Sequence, residues 1–166
     1  MFEKNDYVVY KGDVCKVVDI HYNALTKQDY YVLVPIEDNS LRIDIPTNNK
    51  NICIRSLISK EEIMEIINNI PDIDTIETGE KLLENEYRKL LSTYNHYDLI
   101  KIIKTTYLRN KKRCDENKKI RERDNEYFIK AEKWLYNEFS IVLKMNFDDT
   151  KNYIIERVSS IVWKKY

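Results

Sequence analysis

The hydrophobic residues of this chain change period near residue 58, and that change restricts the fold more than any other feature. Before it they come in short runs rich in β-branched and aromatic side chains: Tyr7-Val8-Val9-Tyr10, Val14 to Ile20, Tyr30 to Val34, Leu41 to Ile45 and Ile52-Cys53-Ile54, separated by turn-forming Gly, Asn and Asp. After it they recur at helical spacing. The expected fold is therefore α+β: a small, strongly bent antiparallel sheet or barrel over residues 1–58, followed by a bundle of about five helices over 59–166.

Within the strand region, Phe2, Tyr7, Val9, Cys15 and Val17 are expected to share one face. Lys11-Gly12-Asp13 is their hairpin turn, with glycine supplying positive φ. Tyr22 to Asp29 forms a longer polar connection, whose one projecting apolar residue, Leu25, is expected to pack within its loop. Pro35 to Ser40 joins the next two strands, and Pro46 ends the second of them because it has no N–H for a ladder. A sheet this small also exposes edges that can accept a strand from another protein.

The helical region opens on Ser59-Lys60-Glu61-Glu62, a capping box in which the Ser hydroxyl accepts the Glu62 amide and the Glu62 carboxylate reaches back to the Ser59 amide. Ile63, Ile66, Ile67 and Ile70 form the inward stripe, Pro71 stops the helix, and Asp72 to Thr78 reads as a linker. A second helix spans Glu80 to Leu91, with Leu83, Tyr87, Leu90 and Leu91 inward. Asn95 caps a third, directing Leu99, Ile103 and Tyr107 to the core, and Cys114 to Asp124 reads as a charged loop or frayed turn. The fourth runs from Asn125 to about Met145 and presents Tyr127, Phe128, Ala131, Trp134, Leu135, Phe139 and Val142. Asp148-Asp149 begins the fifth, where acids favour the positive end of the helix dipole; Ile154, Val158, Ile161 and Val162 make its stripe. Trp134 is expected in the core, and Trp163 fits either core or surface.

Charge separates the regions again. The chain carries 28 basic and 28 acidic residues. Residues 60–80 hold one lysine against seven acids, whereas residues 101–123 hold ten basic residues against three acids. Lys101, Lys104, Arg109, Lys112, Arg113, Lys118, Lys119, Arg121 and Arg123 are therefore the candidate DNA-contacting residues, since such a stripe can neutralise several phosphates. The same residues would equally serve as a solvated helix end that complements the C-terminal dipole.

No catalytic constellation is legible. His21 and His96 lie in different regions, and two glycines cannot build a glycine-rich phosphate loop. Carboxylates fall on helix faces and caps and are read as solvated. The three cysteines, Cys15, Cys53 and Cys114, are far apart and form no CxxC pair, which suits small hydrophobes or idle thiols in a reducing compartment. No apolar run reaches membrane-helix length. The expectation is a cytoplasmic non-enzyme without cofactor or metal.

Several stretches resemble the CarD/CdnL family of bacterial transcription regulators, whose first domain is shared with the transcription-repair coupling factor. Phe2-Glu3-Lys4-Asn5-Asp6-Tyr7-Val8-Val9-Tyr10 is similar to the family's FxxGDxVVY opening, and Tyr30-Tyr31-Val32-Leu33 to its third strand. Leu41-Arg42-Ile43-Asp44-Ile45-Pro46 with Ile54-Arg55 resembles its Val-Pro strand end and following Val-Arg. Lys130-Ala131-Glu132-Lys133-Trp134-Leu135-Tyr136-Asn137-Glu138-Phe139 resembles a KAxxxLxxEL helix. The resemblance implies a Tudor-like domain that docks on the RNA polymerase β subunit, with Asn23, Ala24, Leu25, Arg42, Asp44 and Pro46 as expected contacts. It also implies a helical domain that touches promoter DNA upstream of the −10 element and stabilises the open complex, without catalysis. Asn5 replaces the usual Gly and Lys11 the usual Pro. Glu80 and Lys81 stand where many members place a wedging Trp, so DNA contact is expected to shift to residues 101–123. The alternative is an adaptor on the polymerase with no direct DNA role.

Overall fold

Tyr10 and Asp13 face each other across a two-residue turn in which Lys11 has φ 49° and Gly12 φ 89°. Two successive positive φ values give the primed turn whose twist matches that of the flanking strands. The turn fixes the register of β1 (Tyr7–Tyr10) on β2 (Asp13–Asn23), and with it which side chains face inward. The computed structural model describes residues 1–48 and 50–164. It divides into two compact units, Met1–Leu57 and Ile58–Tyr166.

The first unit is an antiparallel sheet of order β4-β3-β2-β1-β5, completed by β3 (Gln28–Pro35), β4 (Ile43–Pro46) and β5 (Ile54–Ser56). Val8 pairs with Cys15 and Val9 with Val14. The core is accordingly Val8, Cys15, Val17, Tyr31, Leu33 and Ile45, rimmed by Phe2, Tyr10, Ile43, Ile52 and Ile54. The expected grouping of Tyr7 and Val9 with Cys15 and Val17 is thus one residue out. Because side chains alternate, a slip of one residue exchanges the two faces. An irregularity between Val17 and Asp19 shifts the register again, which is why β2 has no clean alternation. β4 starts at Ile43, later than the expected Leu41, and β5 at Ile54, later than Ile52.

The second unit contains α1 (Lys60–Asn69), a 3-10 turn (Ile70–Asp72), α2 (Glu80–Leu91), α3 (His96–Asp115), α4 (Glu122–Leu143) and α5 (Phe147–Lys164). The capping box forms as the sequence indicates: the Glu62 amide donates to Ser59 Oγ at 3.1 Å and the Ser59 amide to Glu62 Oε2 at 2.9 Å. Asn95 Oδ1 accepts the Tyr97 amide at 2.8 Å at the start of α3. The core gathers Ile63, Ile66 and Ile67 from α1, Leu83, Tyr87 and Leu91 from α2, and Leu99, Ile100 and Ile102 from α3. Ala131, Leu135, Tyr136 and Phe139 of α4 and Ile154 of α5 complete it.

Three expectations need correction here. Helix α3 continues to Asp115 and α4 begins at Glu122, so the charged connection shrinks to residues 116–121. The inward face of α3 contains Thr105 and Thr106, while Tyr107 is exposed. The threonine hydroxyls donate to the carbonyls of Lys101 and Ile102 at 2.7 and 2.8 Å, and Thr105 Oγ1 accepts the Ile76 amide at 2.9 Å. With their polar atoms satisfied inside the helix, they enter the core at no unpaired cost. Finally, Trp134 lies at the rim of the core, its ring 5.5 Å from that of Tyr94 and 5.0 Å from Lys130 Nζ. The side chain of Trp163 lies outside the described residues.

Candidate protein and nucleic-acid interfaces

At one end of the sheet, Asn23 Oδ1 accepts the amides of Leu25 and Thr26 at 2.9 and 3.3 Å, folding the β2–β3 tip as an Asx turn. Leu25 does not pack within this loop: it is 94% exposed. The neighbouring row of the sheet runs from His21 through Tyr30 to Pro46. The His21 ring stacks on Tyr30 with centroids 5.9 Å apart, and its Nε2 lies 3.6 Å from Asp44 Oδ2. Asn23, Ala24, Leu25, Asp44 and Pro46, separated in sequence, therefore border one end of the sheet. Arg42, exposed before β4 begins, lies toward the other end of that strand. His21 and Tyr30 belong to this surface but give no sequence signal, because their adjacency depends on the register.

The basic residues of α3 and α4 divide into three groups. Lys104 faces inward, its Nζ donating to the carbonyls of Ile70, Pro71 and Ile73 at 3.3, 3.1 and 2.6 Å. It fastens the end of the 3-10 turn, where carbonyls lack helical partners. Arg109, Arg121 and Arg123 meet carboxylates of α2 and α4. Arg109 grips Glu80 through both terminal nitrogens at 2.9 and 3.0 Å and gives Nε to Asp124 Oδ2 at 3.0 Å. Arg121 also reaches Glu80, and Arg123 reaches Glu84. Arg113 donates to the Lys119 carbonyl at 2.7 Å, and Lys118 pairs with its neighbour Glu116 at 2.8 Å. The third group, the ammonium groups of Lys101, Lys111, Lys112 and Lys119, makes no ion pair or hydrogen bond among the described residues. Of these, Lys101 borders a hollow of about 270 Å³ with Ile76, Glu77, Thr78, Glu86 and Leu90.

The polar network around Arg109 lies between α2, α3 and α4. Tyr87 Oη donates to Asp124 Oδ1 at 3.1 Å, and both residues are buried. Burial, followed by the Asp124 charge, pushes the Tyr87 phenol well above its ordinary range. The Arg109 hydrogen bonds hold Glu80 below the usual carboxylate range, and Glu80 in turn makes Arg109 more basic.

Reading every carboxylate as solvated was therefore wrong for three of them. Asp124, Glu132 and Glu138 are buried. Glu132 meets Lys151 at 2.9 Å, and both Glu138 oxygens meet His96 Nε2, at 2.8 and 3.1 Å. These partners are 15 to 42 residues away from one another in sequence, beyond the reach of any spacing rule. Among the described residues, no group of three or more His, Cys, Asp or Glu is placed to hold a metal ion, and no helix is long and apolar enough to cross a membrane. Cys15, Cys53 and Cys114 are free thiols. Comparison with known proteins finds no matching family model and no matching curated protein.

Proposed function

We propose that this chain is a transcription regulator that docks on the β subunit of a bacterial RNA polymerase through its sheet unit. Promoter DNA is then met by the basic connection between α3 and α4. The observation that carries the docking half is the meeting of Asn23, Ala24, Leu25, Asp44 and Pro46 at one end of the sheet, with Leu25 projecting into solvent. Asn5 lends support: it stands where the resemblance expects glycine and has φ 78°, a left-handed conformation that asparagine tolerates better than most residues. Lys11 points the other way, because its φ of 49° is closed to the proline expected there.

For the DNA half, the support is the unpaired Lys111, Lys112 and Lys119 beside Lys118, a cluster that suits backbone phosphates. The position expected to hold a wedging aromatic carries Glu80, which is occupied with Arg109 and Arg121. That occupation favours a second reading, an adaptor on the polymerase without a DNA role.

Two measurements separate these readings. A polymerase β fragment should retain the wild-type protein and release Leu25→Asp; failure to retain the wild type removes both. Neutralising Lys118, Lys119, Arg121 and Arg123 together should weaken promoter binding and flatten its salt dependence. Wild-type protein that binds the β fragment but no DNA leaves the adaptor.

A further inference from the structure

Glu84 sits where an anion from outside would sit. Its Oε1 accepts from the Arg88 guanidinium at 2.7 Å and from the Tyr127 hydroxyl at 3.3 Å, its Oε2 accepts from Arg123, and Arg88 Nε donates to Tyr127 Oη at 3.2 Å. Two guanidinium groups and a phenol, from α2 and α4, thus converge on a single carboxylate. Planar guanidinium forks take a phosphate in the same way as a carboxylate.

The two cations stand well into solvent, Arg88 at 65% and Arg123 at 76%, while Glu84 is 26% exposed. Arg123 also follows directly on Lys118, Lys119 and Arg121, so the cluster continues the basic connection. Ion pairs between such exposed groups are weak and screened by salt. The neighbouring Glu80 is held differently. Its main partner, Arg109, also supports buried Asp124, so displacing Glu80 would disturb a pairing that closes the bundle.

Resting on the nucleic-acid reading above, we propose that Arg88, Arg123 and Tyr127 form a DNA phosphate site that Glu84 occupies in the free protein and yields to a backbone phosphate. Glu84 is then an internal competitor that keeps this half of the basic surface closed until DNA supplies a replacement anion.

The test compares binding of duplex promoter DNA, across a salt series, by the wild type, Glu84→Gln, Glu84→Gln/Arg88→Gln/Arg123→Gln, and a variant with Lys111, Lys112, Lys118 and Lys119 changed to Gln. Circular dichroism establishes that each is folded. Glu84→Gln should bind more tightly than wild type, with a log-log salt slope steeper by about 0.9 for each phosphate gained, and the triple variant should lose that gain. Should Glu84→Gln fail to fold, Arg88→Gln/Arg123→Gln in the natural chain reads the same site and should weaken binding and flatten the slope. Wild-type binding that depends on the four lysines but is not tightened in folded Glu84→Gln overturns the proposal and leaves the nucleic-acid reading standing. If neither wild type nor Glu84→Gln binds DNA, both fall.

Discussion

The sheet unit keeps its charged residues outside, whereas the helical unit builds part of its interior from them. In the sheet the core is Val8, Cys15, Val17, Tyr31, Leu33 and Ile45, and the residues expected to meet a partner lie on the surface at Asn23, Leu25, Arg42 and Asp44. In the bundle, Asp124, Glu132 and Glu138 are buried, and Lys104 and Arg109 are committed to neighbouring helices. The physical reason is reach. A small sheet closes on alternating apolar side chains, but long helices crossing one another leave polar groups that must be paired once water is excluded. A basic residue in such a helix is therefore ambiguous from sequence in a way that a residue at a hairpin tip is not.

The sharpest way to break this comparison is to remove one large side chain from each core. Phe139→Ala should lower stability by about 4 kcal/mol and Leu33→Ala by about 3 kcal/mol. Both tryptophans belong to the helical unit. In urea unfolding followed by tryptophan fluorescence, Phe139→Ala should therefore shift the transition strongly and Leu33→Ala leave it nearly in place. Equal shifts would mean that the units unfold as one.

The next largest effect separates internal from surface cations. Arg109→Ala should cost about 3 kcal/mol, because it leaves Asp124 buried without its cation. Lys112→Ala, at an exposed position with no partner, should change stability by less than about 0.5 kcal/mol. A small loss for Arg109→Ala in chemical denaturation would return that residue to the surface stripe read from the sequence.

Alkaline pH gives the mildest contrast. Burial holds the Tyr87 and Tyr136 phenols protonated in the fold beyond their ordinary range. Above about pH 10 the unfolded chain releases these protons and the folded chain retains them. Helical stability should then fall as pH rises, by about 1.4 kcal/mol per pH unit for each tyrosine. In the sheet, burial raises the Cys15 thiol from 9.0 to about 11, so stability there should decline as pH rises through that interval. Cys15→Ala should flatten the sheet's decline in a pH series of melting temperatures and leave the helical one unchanged.

Features governed by neighbours in sequence were legible. The change of period at residue 58 falls beside the division between Leu57 and Ile58, the Ser59 capping box is formed, and the Lys11-Gly12 turn lies where glycine placed it. The face of β1 was misread because parity depends on a turn only two residues long, and Thr105 and Thr106 were missed because bonds within their own helix make them suitable for the core. In the candidate site, the sequence located the basic segment but not its internal acids. Glu80 and Glu84 precede the arginines they hold by 29 to 41 residues.

Local chemistry by itself determined where this chain turns, caps and changes from strand to helix, since each of those choices is settled within a few residues. Tertiary structure alone decided which charges remain available. Whether a lysine or arginine faces solvent, a carbonyl or a carboxylate depends on which helix packs against it, and a single strand of text does not contain that neighbour.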